Sequence, residues 1–170
     1  EKMLYDQAQL AVVYSEAFQI THQPRYARVL VGILDYVLRD MTSAEGGFYS
    51  AEDADSLVSP DSPEAQEGAF YLWEDGQIDR ALPESAQWFK RFYGVEALGN
   101  APIGSDPRNE LRGKNILIQR LNIEALAKEA GMTPDAANAL MAKARARLKA
   151  FRDQRPRPML DDKIIAGWNG

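Results

Sequence analysis

The chain contains no cysteine and a single histidine, His22. Zero cysteine excludes disulfides, a catalytic thiol and thiolate metal sites within this stretch, and one histidine cannot assemble a zinc site. No apolar run approaches the roughly 20 residues needed to cross a bilayer. Glu1-Lys2 opens the chain where a signal peptide needs a cleavable apolar stretch. Positive charge is also in short supply, with 20 Lys and Arg against 25 Asp and Glu and a formal net charge of -5. No basic stripe carries interleaved aromatics, and phosphate neutralisation dominates nucleic-acid affinity, so neither DNA, RNA nor a membrane is an expected partner. The default compartment is the cytoplasm.

What is present is an ordinary globular composition of 170 residues, 45% hydrophobic and 26% charged, enough for one domain with a core. The chain starts in Glu1-Lys2-Met3-Leu4-Tyr5 without Met or an N-cap. It stops at Ala166-Gly167-Trp168-Asn169-Gly170 just as an apolar segment begins, and is read as a fragment of something longer.

Between Met3 and Phe18, Leu4, Ala8, Ala11, Val12 and Phe18 recur at three- and four-residue steps and predict a first helix. Thr21-His22-Gln23 breaks it, and Pro24 suits the first turn of a second helix striped by Tyr26, Val29, Leu30, Ile33, Leu34, Val37 and Met41. The short link predicts an antiparallel hairpin. Gly46-Gly47 stops the second helix, and Phe48-Tyr49-Ser50-Ala51 and Gly68-Ala69-Phe70-Tyr71-Leu72-Trp73 read as two strands that pair in an antiparallel ribbon.

Glu74-Asp75 opens a short helix through Leu82, and Pro83-Glu84 opens another with Trp88, Phe89 and Phe92 inward. Gly94 to Lys114 reads as an irregular connection, with an extended piece at Ile116-Leu117-Ile118. Helices return from Ile123 to Ala130, ended by Gly131, and from Thr133-Pro134 toward Gln154, with Ala137, Leu140, Met141, Ala144, Leu148 and Phe151 on the apolar face. The Lys and Arg residues between Lys143 and Arg152 read as the solvated face of that helix. Arg155-Pro156-Arg157-Pro158 leaves helical geometry, because each proline disfavours it in the preceding residue. Without βαβ alternation, the fold class is mainly α with small inserted β ribbons.

Four stretches carry a resemblance. They are Glu1-Lys2-Met3-Leu4-Tyr5-Asp6-Gln7-Ala8, Gly46 to Ser56 (GGFYSAEDADS), Glu67 to Trp73 (EGAFYLW), and Arg155-Pro156-Arg157-Pro158 with Leu160-Asp161-Asp162-Lys163 running on to Gly170. In this order they resemble the bacterial YyaL and animal spermatogenesis-associated thioredoxin-like proteins. The resemblance implies a partial α/α six-hairpin toroid over 1–170, similar to N-acylglucosamine epimerases and six-hairpin glycosidases, with a small inserted antiparallel ribbon. It also implies a thioredoxin-like domain and later hairpins outside this chain. Two departures stand out. Pro158-Met159-Leu160-Asp161 replaces the more usual Pro-His-Leu-Asp, and Thr21-His22-Gln23 replaces a Thr-Gly-Asp or Thr-Gly-Asn turn. No residue matches the histidines on which the epimerase relatives rely.

The densest polar cluster is Glu52-Asp53-Ala54-Asp55. Paired carboxylates with unlike pKa values serve as acid and base in glycosidic chemistry, whereas a short acidic turn binds its own backbone N–H groups. A second group is Asp161-Asp162-Lys163 with Trp168-Asn169, where a charged pair stands near an aromatic face suited to a sugar ring. The plainer alternative there is helix capping and a Lys163–carboxylate pair. Tyr5 and Asp6 form a third group.

The expected catalytic residues are thus Asp53, Asp55, Asp161 and Asp162, and the expected substrate-binding residues Tyr5, Asp6, Glu52, Lys163, Trp168 and Asn169. No cofactor is expected, and no metal, because Asp-x-Asp lacks the six or more oxygens that calcium takes. The expected function is a carbohydrate-active or carbohydrate-binding barrel domain with a saccharide ligand. The alternative is a non-catalytic scaffold that positions the thioredoxin-like domain. An open toroid exposes apolar helix faces, which are expected to pair with a second copy or with the missing half.

Overall fold

Short polar breaks divide the chain into more elements than its helices alone suggest. The computed structural model describes residues 1–102, 104 and 110–170. Its elements run β1 (Lys2–Met3), α1 (Leu4–Thr21), α2 (Pro24–Asp40), β2 (Ala51–Glu52), β3 (Asp55–Leu57), β4 (Ala65–Glu67), β5 (Trp73–Glu74) and α3 (Asp75–Ala81). They continue with α4 (Ala86–Tyr93), β6 (Lys114–Asn115), α5 (Ile123–Ala130), α6 (Pro134–Arg152), β7 (Leu160–Asp161) and α7 (Ala166–Asn169). Helices make up about half of the described chain, so the mainly α class holds. The chain divides into two compact units, Glu1–Asp55 with Pro158–Gly170, and Ser56–Arg157.

In the first unit, α1 and α2 pack on one another as the expected hairpin. The turn between them rests on His22, whose φ of 52° is left-handed and whose N–H reaches Phe18 O at 2.8 Å. Glycine relaxes at such a helix end and histidine does not, which gives the usual Thr-Gly turn of the resembled family a physical reason. Pro24 takes the first turn of α2 as expected. Leu4 is the buried residue of α1, and α2 has none. Val12, Val13, Ile20, Val31 and Leu38 are all more than half exposed. The expected face of α1 therefore gives way to apolar side chains distributed around the helix, a pattern found where a helix is covered on several sides.

The second unit has a core of its own. Trp73, Ile78, Leu82, Phe89, Phe92, Leu126, Met141 and Leu148 are buried in one cluster that joins α3, α4, α5 and α6. Local signals set its helix ends. Glu74 and Gln77 form a reciprocal capping box at α3, Asn122 and Thr133 cap α5 and α6 through their side-chain oxygens, and Gly131 ends α5 in the left-handed region at φ 64°.

The expected ribbon is corrected. β2 pairs antiparallel with β1 on one side and β7 on the other, and not with the Gly68–Trp73 run. That run is mostly turn, because Tyr71 and Leu72 N–H fold back onto Gly68 O, and the carbonyls of Ala69, Phe70 and Leu72 turn to the guanidinium of Arg155. Only its end, Trp73 in β5, pairs, and its partner is β6. β3 pairs with β4. Ile116 to Ile118 is not a strand, since Ile116 N–H is taken by Asn100 Oδ1 and Ile118 N–H by Tyr93 O. The Gly94–Lys114 connection lies partly outside the described residues.

Candidate functional site

Every residue singled out from the sequence as a site residue lies in the first unit. Its three-stranded sheet places β2 at the centre, with Lys2 opposite Glu52, Met3 opposite Ala51, Ala51 opposite Asp161 and Glu52 opposite Leu160. Directly opposed residues share a face and neighbours along a strand alternate. Glu52 therefore shares one face with Lys2 and Leu160, while Asp161 shares the other with Ala51 and Met3. The register separates two of the acidic residues that the sequence suggests as partners.

Glu52, Asp53 and Asp161 each have a local occupation. Glu52 is only 5% exposed and its Oε1 lies 3.4 Å from Lys2 Nζ, which itself sits 4.3 Å above the Tyr36 ring. Asp53 continues the ladder by donating its N–H to Met159 O, and its Oδ1 accepts the N–H of Asp55 at 3.2 Å, the geometry of an acidic turn. Asp161 accepts Lys163 Nζ at 3.0 Å, and its carbonyl accepts both the N–H and the hydroxyl of Ser50. The hydrogen bond from Lys163 holds the Asp161 carboxyl below the usual carboxylate range, against a smaller opposing effect of desolvation. Asp161 thus stays ionised at neutral pH and suits a base or an electrostatic partner, not a proton donor. The pair contributes above the ordinary carboxylate pKa and is lost as pH falls through the lowered value. Asp162 is exposed, and Asp6 lies in the first turn of α1, where a negative charge meets the positive end of the helix dipole.

The aromatic members do come together. Tyr5 meets Trp168 edge-on with ring centroids 5.1 Å apart. Trp168 and Asn169 line an apolar groove of about 340 Å³, together with Leu4, Ala8, Leu34 and Phe48. Asn169 works there as a clasp. Its Oδ1 accepts Phe48 N–H at 2.6 Å, and its Nδ2 donates to the carbonyls of Phe48 and Ile165. Both amide donors are then committed to backbone. Among the described residues no Asp or Glu lines the groove. Among the described residues, no group of three or more His, Cys, Asp or Glu gathers as a metal site, and no helix is long and apolar enough to cross a membrane.

Sequence reasoning missed the partners of these residues. Lys2 stands 50 positions from Glu52 and Asn169 stands 121 from Phe48, and no local pattern links them. In the second unit it also missed Arg155 and Asn115, buried or half-buried polar side chains that hold backbone groups.

Spermatogenesis-associated protein 20 of Mus musculus is 43% identical over 180 residues, covering all of this chain and 23% of the mouse protein. The Homo sapiens protein of the same name is 42% identical over the same extent, and an uncharacterized protein of Caenorhabditis elegans is 36% identical over 179 residues. The chain spans about a quarter of the length of these curated relatives. No family model matches it.

Proposed function

The chain belongs to the spermatogenesis-associated protein 20 family, and from that premise we infer that it acts as a non-catalytic helical scaffold within a longer protein. In this reading it is a segment of an α/α toroid, and its α1–α2 hairpin packs against further helical hairpins and helps to position a thioredoxin-like domain. One observation carries the reading: two helices of 18 and 17 residues bury only Leu4 between them. Hydrophobic burial is worth about 25 cal/mol per Å², so leaving Val13, Ile20, Val31 and Leu38 in water forgoes a stabilisation that a covering surface would recover. The pairs Val13 with Ile20 and Val31 with Leu38 are each seven residues apart, so each forms a stripe along its helix. Glu52, Asp53 and Asp161, engaged with Lys2, the Asp55 backbone N–H and Lys163 in turn, support the same reading, since each is held by its own local partner and Glu52 and Asp161 face opposite sides of the sheet. Side-chain footprinting of α1 and α2 in the longer protein tests it, with shielding of these four residues as the expected result.

A carbohydrate-binding reading is favoured by a different observation, the Trp168 ring, which lines the groove of the first unit and meets Tyr5 edge-on. The Trp168 face can stack on a sugar, and Asp161, ionised but outside the groove lining, offers an acceptor beyond it. In this reading Asp53, Asp55 and Asp162 supply further polar contacts around the saccharide, with Asp6, Glu52, Lys163 and Asn169 at its margin. Calorimetric titration of the longer protein with amino sugars and disaccharides separates the two. Saturable heat that disappears in folded Trp168→Ala and Asp161→Asn variants supports sugar binding, and the absence of heat with every sugar leaves the scaffold.

A further inference from the structure

The second unit contains a groove of about 370 Å³, within the range of about 300–1,000 Å³ typical of small-ligand sites. Its aromatic side is built from Trp73, Phe89 and Tyr93, and its cationic side from Arg145, Lys149 and Arg152. The three basic residues stand at i, i+4 and i+7 of α6 and so share one helix face. From the sequence, this face reads as solvated charge. The structure lays it along an aromatic wall.

Charge balance inside the groove is uneven. Among the described residues no Asp or Glu lines it, in a chain whose formal charge is -5. Lys149 is neutralised by its i+4 neighbour Asp153. Arg145 has only the Tyr93 hydroxyl, at 3.4 Å, as a hydrogen-bond partner among the described residues. Arg152 lies against the Phe70 and Tyr71 rings, and its Nε is buried without a hydrogen-bond acceptor among the described residues. A buried guanidinium N–H that lacks an acceptor costs about 1–3 kcal/mol until something supplies one. Asp153 lies within electrostatic reach of Arg152, but among the described residues no carboxylate is hydrogen-bonded to either arginine, and two such groups beside an apolar wall are complementary to a flat apolar body that ends in an anion.

We propose that this groove between α4 and α6 binds a small aromatic carboxylate, with its ring against Trp73, Phe89 and Tyr93 and its carboxylate shared by Arg145 and Arg152. The site is independent of the hairpin and of the carbohydrate reading, since all its residues belong to the second unit.

The test titrates the 170-residue chain with 2-naphthoate, with its neutral isostere 2-naphthamide and with inorganic phosphate, by calorimetry and by ¹H–¹⁵N NMR of the Trp73 indole. 2-Naphthoate is expected to bind at least about tenfold more tightly than the amide, the size of one charge-assisted hydrogen bond, and to shift the Trp73 indole signal. Arg145→Gln, which removes only one long hydrogen bond and should leave the fold intact, is expected to erase most of that preference. Arg152→Gln should do the same, and Arg147→Gln on the same helix should not. Equal affinity for acid and amide, equal affinity for phosphate and naphthoate, no binding at all, or binding that leaves Trp73 unshifted would each overturn the proposal.

Discussion

Replacing Arg155 by Met is expected to destabilise the second unit by about 4 kcal/mol, the loss of several hydrogen bonds from a charged donor with their acceptors left behind. One guanidinium nitrogen, Nη1, donates to the carbonyls of Ala69, Phe70 and Leu72 at 3.2, 2.9 and 2.7 Å, while Nη2 reaches Gln77 Oε1 at 3.2 Å. The group also lies 4.1 Å from the Trp73 ring centroid. Burial draws its pKa below the ordinary arginine value and Arg152 adds to that, with Glu74 opposing, yet a guanidinium remains charged at any ordinary pH. Without it, the Gly68–Leu72 turn keeps carbonyls directed at an empty place. Arg155→Lys should recover no more than about half of the loss, because an ammonium is a point charge without the planar fork or the stacking face. Urea unfolding followed by tryptophan fluorescence measures both variants, and a loss below about 1 kcal/mol for Met would show that the turn holds by itself.

Asn115→Ala is expected to cost about 3 kcal/mol, again from buried partners left unpaired. The side chain is fully buried and satisfied, since its Oδ1 accepts Glu96 N–H at 2.8 Å and its Nδ2 donates to Trp73 O and Glu96 O. It ties β5 to the segment after α4 in the way a third strand would. Asn115→Asp separates this role from simple packing. It keeps the acceptor for Glu96 N–H but turns a carboxylate oxygen toward two carbonyls, so it should be at least as harmful as alanine at neutral pH and less harmful when protonated in acid. Thermal unfolding across pH reads that difference, and equal behaviour of Asp and Asn would contradict it.

These two residues mark where sequence reasoning stops. The helices of the second unit were legible because their ends are local. A capping residue, a proline at the first turn or a glycine in the left-handed region acts within four positions, as at Asn122, Pro134 and Gly131. The hairpin of the first unit was legible for the same reason at Pro24. Strand partners were not legible, because two- and three-residue strands have no period to read, and the Gly68–Trp73 run looks like a strand until Arg155 is in place. The site followed the same division. Tyr5 and Trp168 meet, but Glu52 and Asp161 fall on opposite faces because of a pairing register that neither segment encodes alone. Apolar residues around the whole of α1 were visible in the sequence, yet a single-face reading of the helix concealed their consequence.

Carbene footprinting of the 170-residue chain and of the longer protein, compared residue by residue, tests the scaffold account most directly. Val13, Ile20, Val31 and Leu38 should label strongly in the 170-residue chain, as their exposure of more than half requires, and Phe89 and Phe92 should label weakly in both. The account predicts a severalfold fall in labelling of all four aliphatic residues in the longer protein. Unchanged labelling there, with Phe89 and Phe92 still protected, would contradict it.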